Sequence, residues 1–246
     1  MQTLTLIVPF EVLQGQEEAM KQQWNEAAEP LSHVPGFLSA RLYEADDTVE
    51  EQLRRELGFD WLKARQAGRP RFRFVNIARW ASLAHYEAAI GASFLQKANS
   101  FRSYLAFYRA SSLISKAAEP TRQERPRSGQ EFTLIVPFEV PAGQEEEMHR
   151  QFTEVVKDMG PAEGSLGPGL YEIDTEAEAH LRDFISNRAM QGPEQFRFVN
   201  VAQWTSLPHY EAAIGSRSQT KPISFPSYPA YYRVSSEYTG GNVGEE

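Results

Sequence analysis

The chain of 246 residues contains no cysteine. This absence excludes disulfide bonds, thiolate metal sites, iron–sulfur clusters and a cysteine nucleophile. An excess of positive charge is missing as well, since the formal net charge is -8 at pH 7. Neutralising phosphates requires a clustered basic face, so the charge balance argues against nucleic acid and against an anionic membrane surface as partners.

Long apolar runs are equally absent. No segment approaches the roughly 18 consecutive apolar residues that a membrane-spanning helix needs. Met1 leads directly into an alternating strand pattern, without the basic segment, apolar core and cleavage site of an export signal. We therefore expect a cytoplasmic protein that does not enter a membrane.

What the chain does contain is a long internal repeat. The stretch FRFVNIARWASLAHYEAAIG at 72–91 returns at 196–215 as FRFVNVAQWTSLPHYEAAIG. Upstream of it, LTLIVPFEV at 4–12 returns as FTLIVPFEV at 132–140. The repeat predicts that the chain is a tandem duplication of one domain.

The segment between the two copies, 111–130, is polar, charged and proline-bearing, which is typical of a linker. We therefore expect a first domain at 1–110 and a second at 131–238. A tail at 239–246 follows, and we expect disorder to begin as early as Glu237.

Each half shows the order strand, helix, strand, insert, strand, helix, strand, which is the split βαβ or ferredoxin-like pattern. A sheet of this kind carries helices on one face only, so its other apolar face needs a cover. We expect an α+β fold in which two ferredoxin-like domains pack sheet to sheet as an intramolecular dimeric α+β barrel, with the helices outside. Pro9 and Pro137 lack a backbone N–H, which predicts that their strands are edges there, or locally bulged.

An insert precedes the repeated strand in each half, at 46–70 and 174–193. Helical periodicity in VEEQLRREL and EAHLRDFI predicts one helix in each insert. Two interpretations stay open, namely lids over the pockets or helices at the edge of the fold. Because the inserts differ in sequence, the two pockets need not accept the same ligand, and one of them could be silent.

The repeated strand and helix carry the candidate site residues. Period-two alternation places Asn76 and Trp80 on one face, roughly 13 Å apart at about 3.3 Å per residue. Helical spacing after Ser82 points Tyr86 back toward the same sheet. His85 precedes Tyr86 by one residue and so points about 100° away around the helix. Each residue also has an ordinary structural explanation, as a core residue or on a solvated helix face. The second half repeats the set as Asn200, Trp204, Tyr210 and His209.

The pattern FVNxAxWxSLxHYEAAIG, with TLIVPFEVxxGQEE and PGFLSARLY upstream, resembles the antibiotic biosynthesis monooxygenase family of dimeric α+β barrels. The resemblance covers both halves except the inserts, the linker and the tail. In the quinone-forming members, an Asn, a Trp four residues later and a Tyr six residues after that line the pocket. This spacing implies pocket roles for Asn76, Trp80 and Tyr86, and for their second-half counterparts. The pocket arginine of these relatives has no clear counterpart, because the aligned region holds Ser100 and Ser224.

The resemblance implies an enzyme that works without flavin, haem or metal. A deprotonated phenol or anthrone can itself reduce O2 and recombine with it to a hydroperoxide, which loses water to give a quinone. Amide, indole and phenol donors suit the developing phenolate, and His85 or His209 could take the first proton if it reaches the pocket. We therefore expect a cofactor-independent monooxygenase with a small aromatic substrate and O2 as its partners.

Two alternatives remain open. Haem-degrading relatives carry a Trp on the second helix and an axial His ten residues further on. Alignment on Trp80 places Ala89 and Asn99 at these positions, and the second half has Ala213 and Ile223. Other barrels of this kind are small-molecule-binding proteins without turnover, and the sequence does not distinguish binding from catalysis.

Overall fold

The computed structural model of the protein describes residues 3–57, 72–94, 101–111, 131–159, 162–184, 196–215 and 223–241. Within these residues the fold is mixed α/β, with a closed barrel of eight strands and six helices. The expected class and barrel agree with this architecture. The later parts of both inserts and almost all of the predicted linker lie outside the described residues.

Strands and helices follow one another in the order that the repeat predicts. The strands are β1 (Leu4–Glu11), β2 (Phe37–Ala45), β3 (Phe74–Trp80), β4 (Arg102–Ser103), β5 (Ala106–Ala110), β6 (Phe132–Phe138), β7 (Ser165–Ile173), β8 (Phe198–Trp204) and β9 (Ala230–Thr239). The helices are α1 (Glu17–Leu31), α2 (Asp47–Leu57), α3 (Leu83–Phe94), α4 (Glu145–Met159), α5 (Thr175–Phe184) and α6 (Leu207–Gly215).

The barrel closes because each of its strands pairs with two neighbours. The order around the ring is β1, β3, β2, β9, β6, β8, β7, β5 and back to β1, while the short β4 pairs with the end of β1. The ladders between β2 and β9 and between β5 and β7 join the two halves. The two sheets that were expected to face each other are therefore also joined at both edges.

The two faces of the barrel strands have different partners. Val75 of β3 and Val199 of β8 belong to one cluster with residues from all eight strands, which places them in the barrel interior. Phe74 and Ala78 pack instead with Met20 of α1, so their face of β3 lies under the helices. The predicted alternation is confirmed, and Asn76 and Trp80 share the helix-facing side.

Of the two alternatives predicted at Pro9, the edge strand is wrong, and the irregularity lies in the neighbouring strand and not in β1. β1 lies inside the ring between β3 and β5, and Pro9 pairs with Val75. On its other side the partner strand is interrupted between β4 and β5, where Tyr104 N donates to Pro9 O at 3.0 Å. Tyr228 N donates to Pro137 O at 3.0 Å in the same way. The missing proline N–H thus falls opposite a break in the neighbouring strand.

The expectation of disorder from Glu237 is also wrong for the first residues of that segment. β9 continues to Thr239, and Tyr238 pairs with Ala40 of β2. Arg41 Nε donates to Glu237 Oε1 at 2.6 Å. β9 has 10 residues, whereas its counterpart β5 has 5.

Among the described helices, none combines the length and the apolarity needed to cross a membrane.

Candidate functional site

The first predicted set meets between the sheet and the helices. Asn76 and Trp80 lie on the outer face of β3, and the ring of Tyr86 meets Trp80 from the first turns of α3. The rings of Trp80 and Tyr86 meet edge to face, with 5.5 Å between centroids. All three side chains are buried.

The second set has the same arrangement. Asn200 and Trp204 lie on β8, and the rings of Trp204 and Tyr210 are 5.1 Å apart. The registers also match, because Asn76 pairs with Val8 while Asn200 pairs with Val136. The structure therefore places each predicted Asn and Trp on one face of a strand and brings each Tyr against its Trp.

The two asparagines have different hydrogen-bond partners. Trp24 of α1 donates its indole Nε1 to Asn76 Oδ1 at 3.0 Å. The matching position of α4, 128 residues later, holds Phe152, which has no polar side-chain atom. Within the described part of the chain, Asn200 Oδ1 is buried without a hydrogen-bond partner.

Both site tryptophans carry an unsatisfied donor. Trp80 Nε1 and Trp204 Nε1 are buried, and neither finds an acceptor among the residues that the structure describes. A buried polar group without a partner costs about 1–3 kcal/mol. A ligand oxygen placed at either nitrogen would recover this free energy, which makes the indoles candidate ligand contacts.

A tyrosine that the sequence interpretation missed completes the second site. Tyr231 of β9 is buried, and its hydroxyl lies 3.1 Å from the hydroxyl of Tyr210. In the first half the same strand position holds Phe107, whose ring packs against Tyr86 at 4.8 Å. Burial, and then the nearby charge of Glu178, raise the pKa of the Tyr86 phenol well above its ordinary value.

The insert helices cross from one half to the other. Val49 and Leu53 of α2 pack in one cluster with Trp204 and Tyr231. Asp46 N donates to Tyr231 O at 2.8 Å, which fixes the start of α2 on the second half. The interpretation as covers over the pockets fits this packing, but α2 covers the site of the other half.

Helix α5 makes the reciprocal crossing. Ala177 packs in the cluster that contains Trp80 and Tyr86. The buried carboxylate of Glu178 accepts a hydrogen bond from Phe107 N, with 2.6 Å between Oε1 and the nitrogen. The first site is therefore built partly by the second half of the chain.

The two histidines pack on glycines in the turns that precede β2 and β7. His85 Nδ1 lies 2.8 Å from Ser82 Oγ, and the imidazole packs on Gly36, in the turn before β2. His209 Nδ1 lies 2.8 Å from Ser206 Oγ, packs on Gly164 and leaves 40% of its side chain exposed. The structure thus gives both imidazoles contacts at the corner between strand and helix.

The site residues that the sequence interpretation did not identify differ in how far the sequence pattern indicated them. Trp24 and Phe152 were visible as matching positions of the first helix in each half, but helical periodicity indicates only that both are buried. Tyr231 was visible as a hydroxyl added to the Phe107 position. Glu178 left no signal, because nothing in the sequence of an insert shows which half it covers.

A metal centre finds no support in the part of the chain that the structure describes. No group of three or more His, Asp or Glu residues there could hold a metal ion.

No family model matches this chain, and no curated protein matches it. Solved structures with a similar fold do exist. One is a Fusobacterium nucleatum subsp. nucleatum protein named as a putative monooxygenase, with a TM-score of 0.54 at 10% identity, over 100% of this chain and 98% of that chain. Another is named an anthrone oxidase-like protein, with a TM-score of 0.56 at 14% identity, over 98% of this chain and 94% of that chain. At these identities the similarity shows the fold alone.

Proposed function

We propose that the chain is a cofactor-independent monooxygenase of the antibiotic biosynthesis type, which oxidises an electron-rich aromatic compound with O2. The observation that carries the proposal is the buried pair of Asn200 Oδ1 and Trp204 Nε1 on one face of β8, neither satisfied by a described residue. A phenol can donate to the amide oxygen, while a carbonyl or phenolate oxygen can accept from the indole N–H.

The duplicated arrangement supports the proposed family. Both halves run strand, helix, strand, helix, strand, helix, strand, with equal pairing between their first and third strands. We propose that they are two copies of one ferredoxin-like domain. The names of the two similar structures, a putative monooxygenase and an anthrone oxidase-like protein, point in the same chemical direction.

The proposed reaction needs no external reductant. An anthrone loses a proton from its CH2 carbon, and the resulting anion gives one electron to O2 and then combines with the reduced oxygen to form a C–O bond. The product is a hydroperoxide, R2CH–OOH, once the proton returns to oxygen. Loss of water breaks the O–O bond and leaves the quinone carbonyl. The substrate carbon supplies all four electrons, so one oxygen atom ends in the quinone and the other in water.

The chain's own residues would bind, orient and exclude water. Trp204 Nε1 would stabilise the substrate oxyanion in a buried site, where a hydrogen bond is stronger than in water. The hydroxyl pair of Tyr210 and Tyr231 offers a path for the proton that returns to the peroxide.

Oxygen uptake with 1,8-dihydroxyanthrone tests the proposal. We expect a rate well above the protein-free rate, and a loss of about ten- to hundredfold when Asn76→Ala and Asn200→Ala are combined, because a lost hydrogen bond in a buried site costs about 1–3 kcal/mol. Ile77→Val, on the barrel side of β3, is the control. Under 18O2 the quinone should carry one labelled atom. Uptake at the protein-free rate for a panel of anthrones and naphthols would contradict catalysis and favour a binding protein.

A further inference from the structure

The two halves differ at one buried helix position that faces the site. In the first half Trp24 occupies it and satisfies Asn76 Oδ1 at 3.0 Å. In the second half Phe152 occupies it, and its side chain has no atom that could donate. Asn200 Oδ1 therefore has no hydrogen-bond donor among the described residues, whereas Asn76 Oδ1 accepts from Trp24.

The grouping of buried residues around Asn200 also differs from that around Asn76. In the first half Trp24, Phe74 and Trp80 belong to one continuous cluster of buried residues. In the second half the described residues form two clusters, one with Phe152 and Phe198, the other with Ala202 and Trp204. Asn200 lies on β8 between Phe198 and Ala202, at the boundary of the two clusters. Leu134 of β6, which is partly buried, packs against both clusters and so links them.

The aromatic residues of the two sites also differ by one hydroxyl. It holds the hydroxyl pair of Tyr210 and Tyr231, while the first site has the ring of Phe107 in place of the second hydroxyl. Trp80 Nε1 does lack an acceptor among the described residues, as Trp204 Nε1 does. However, Asn76 Oδ1 already accepts from Trp24. The first site therefore offers a ligand only the donor Trp80 Nε1, whereas the second site offers both the donor Trp204 Nε1 and the acceptor Asn200 Oδ1.

We infer that the two halves have separated their roles: the second half binds the aromatic ligand, and the first half is closed by the Trp24–Asn76 hydrogen bond. The ligand class is a planar aromatic compound with a hydroxyl for Asn200 Oδ1 and an oxygen acceptor for Trp204 Nε1. The two Cα atoms are separated by roughly 13 Å at about 3.3 Å per residue, which suits fused rings with oxygens at opposite ends. The inference rests on the proposed function for this ligand class.

The four tryptophans provide a direct readout. Each indole N–H gives one signal in a 1H–15N correlation spectrum, and single Trp→Phe variants assign the four signals. The probe is 2,6-dihydroxyanthraquinone, which carries hydroxyls at opposite ends and does not react with O2. We expect one equivalent to bind to the wild-type protein, with a shift of the Trp204 signal and none of the Trp80 signal.

A reciprocal pair of variants tests the cause of the asymmetry. Phe152→Trp supplies the second half with the donor that the first half has, and we expect it to abolish the shift of Trp204. Trp24→Phe frees Asn76, and we expect a second equivalent to bind and the Trp80 signal to move. If Phe152→Trp does not fold, Asn200→Leu is the substitute test. It removes the acceptor and retains the size of the side chain, and we expect it to abolish binding as well.

Three outcomes would overturn the inference: two equivalents bound to the wild-type protein, a shift of Trp80 in the wild-type protein, or an unmoved Trp204 signal at saturating probe. All three are measured on the wild-type protein, so they do not depend on the folding of any variant. Oxygen uptake plays no part in them, so an absence of turnover would contradict the proposed function and leave this inference in place.

Discussion

The carboxylate of Glu178 accepts a hydrogen bond from the backbone N–H of Phe107, at 2.6 Å and across 71 positions of the chain. The contact joins α5 of the second half to β5 of the first, beside the ring of Tyr86. In the other direction, α2 of the first half lies on Tyr231. Each candidate site is therefore a joint product of both halves, which couples its integrity to the stability of the whole barrel.

The Glu178 contact gives a prediction about stability. Glu178→Ala leaves the buried Phe107 N–H without its acceptor, so we expect the free energy of unfolding in urea to fall by about 1–3 kcal/mol. Glu176→Ala, at an exposed position of the same helix, is the control and should stay within about 0.5 kcal/mol of wild type. An unchanged or increased stability of Glu178→Ala would show that the carboxylate does not hold α5 in place.

Alkaline pH should destabilise the protein through its buried phenols. Burial, and then the charge of Glu178, raise the pKa of Tyr86 and of Tyr108 above their ordinary values. Above pH about 10 the unfolded chain releases these protons while the folded chain retains them. The stabilising contribution is therefore complete below pH about 10 and is lost as the pH rises toward the folded-state pKa.

Urea unfolding between pH 8 and about 11 measures this loss. Each tyrosine should contribute a slope of roughly 1.4 kcal/mol per pH unit above its unfolded-state pKa. Tyr86→Phe should remove the share of one tyrosine while the aromatic packing is retained. If wild type and Tyr86→Phe show the same slope, Tyr86 does not keep its proton in the folded state.

The contact between Gly36 and His85 predicts a steric effect at the corner before β2. Gly36 has φ +82°, and a Cβ added there would collide with the His85 imidazole. Gly15 has φ +88° with open space around the same position, so Gly15→Ala carries only the conformational cost of roughly 1–2 kcal/mol. We expect Gly36→Ala to cost about 1–3 kcal/mol more, because of overpacking.

A double-mutant cycle checks this prediction by thermal or urea unfolding. In a His85→Gly background, Gly36→Ala should cost no more than Gly15→Ala, because both the ring and the Cβ of residue 85, which would lie within 2.4 Å of the added Cβ, are gone. Equal costs of Gly36→Ala with and without His85 would show that the imidazole does not lie on this glycine. That result would reopen the pocket position that the sequence interpretation considered for His85.

Much of the architecture could be predicted because the repeat shows the sequence pattern of each strand and helix twice. Period-two alternation placed Asn76 and Trp80 on one face of β3, and helical spacing brought Tyr86 against Trp80. The edge assignment of Pro9 was wrong because proline, which has no N–H to donate, needs only a position where no neighbouring strand presents an acceptor to it. A break in the partner strand meets that requirement inside a closed barrel as well as an edge does.

The crossing of α2 and α5 could not be predicted, because the same amphipathic pattern suits either half. The difference in hydrogen bonding between the two sites could not be predicted from the sequence either. Trp24 and Phe152 both satisfy an apolar helix position, and only the structure shows that the Trp24 indole reaches Asn76 Oδ1. Local pattern thus predicts which residues are buried, whereas the hydrogen-bond partner depends on tertiary geometry.

The central claim is that a buried Asn–Trp–Tyr site of the second half oxidises an aromatic substrate with O2. Its most direct test is the rate of oxygen uptake with 1,8-dihydroxyanthrone for Asn200→Ala and Asn76→Ala, each compared with wild type after subtraction of the protein-free rate. We predict a loss of about ten- to hundredfold for Asn200→Ala, because a lost hydrogen bond in a buried site costs about 1–3 kcal/mol, and a severalfold smaller loss for Asn76→Ala. Equal losses, a larger loss for Asn76→Ala, or a wild-type rate equal to the protein-free rate would contradict the account.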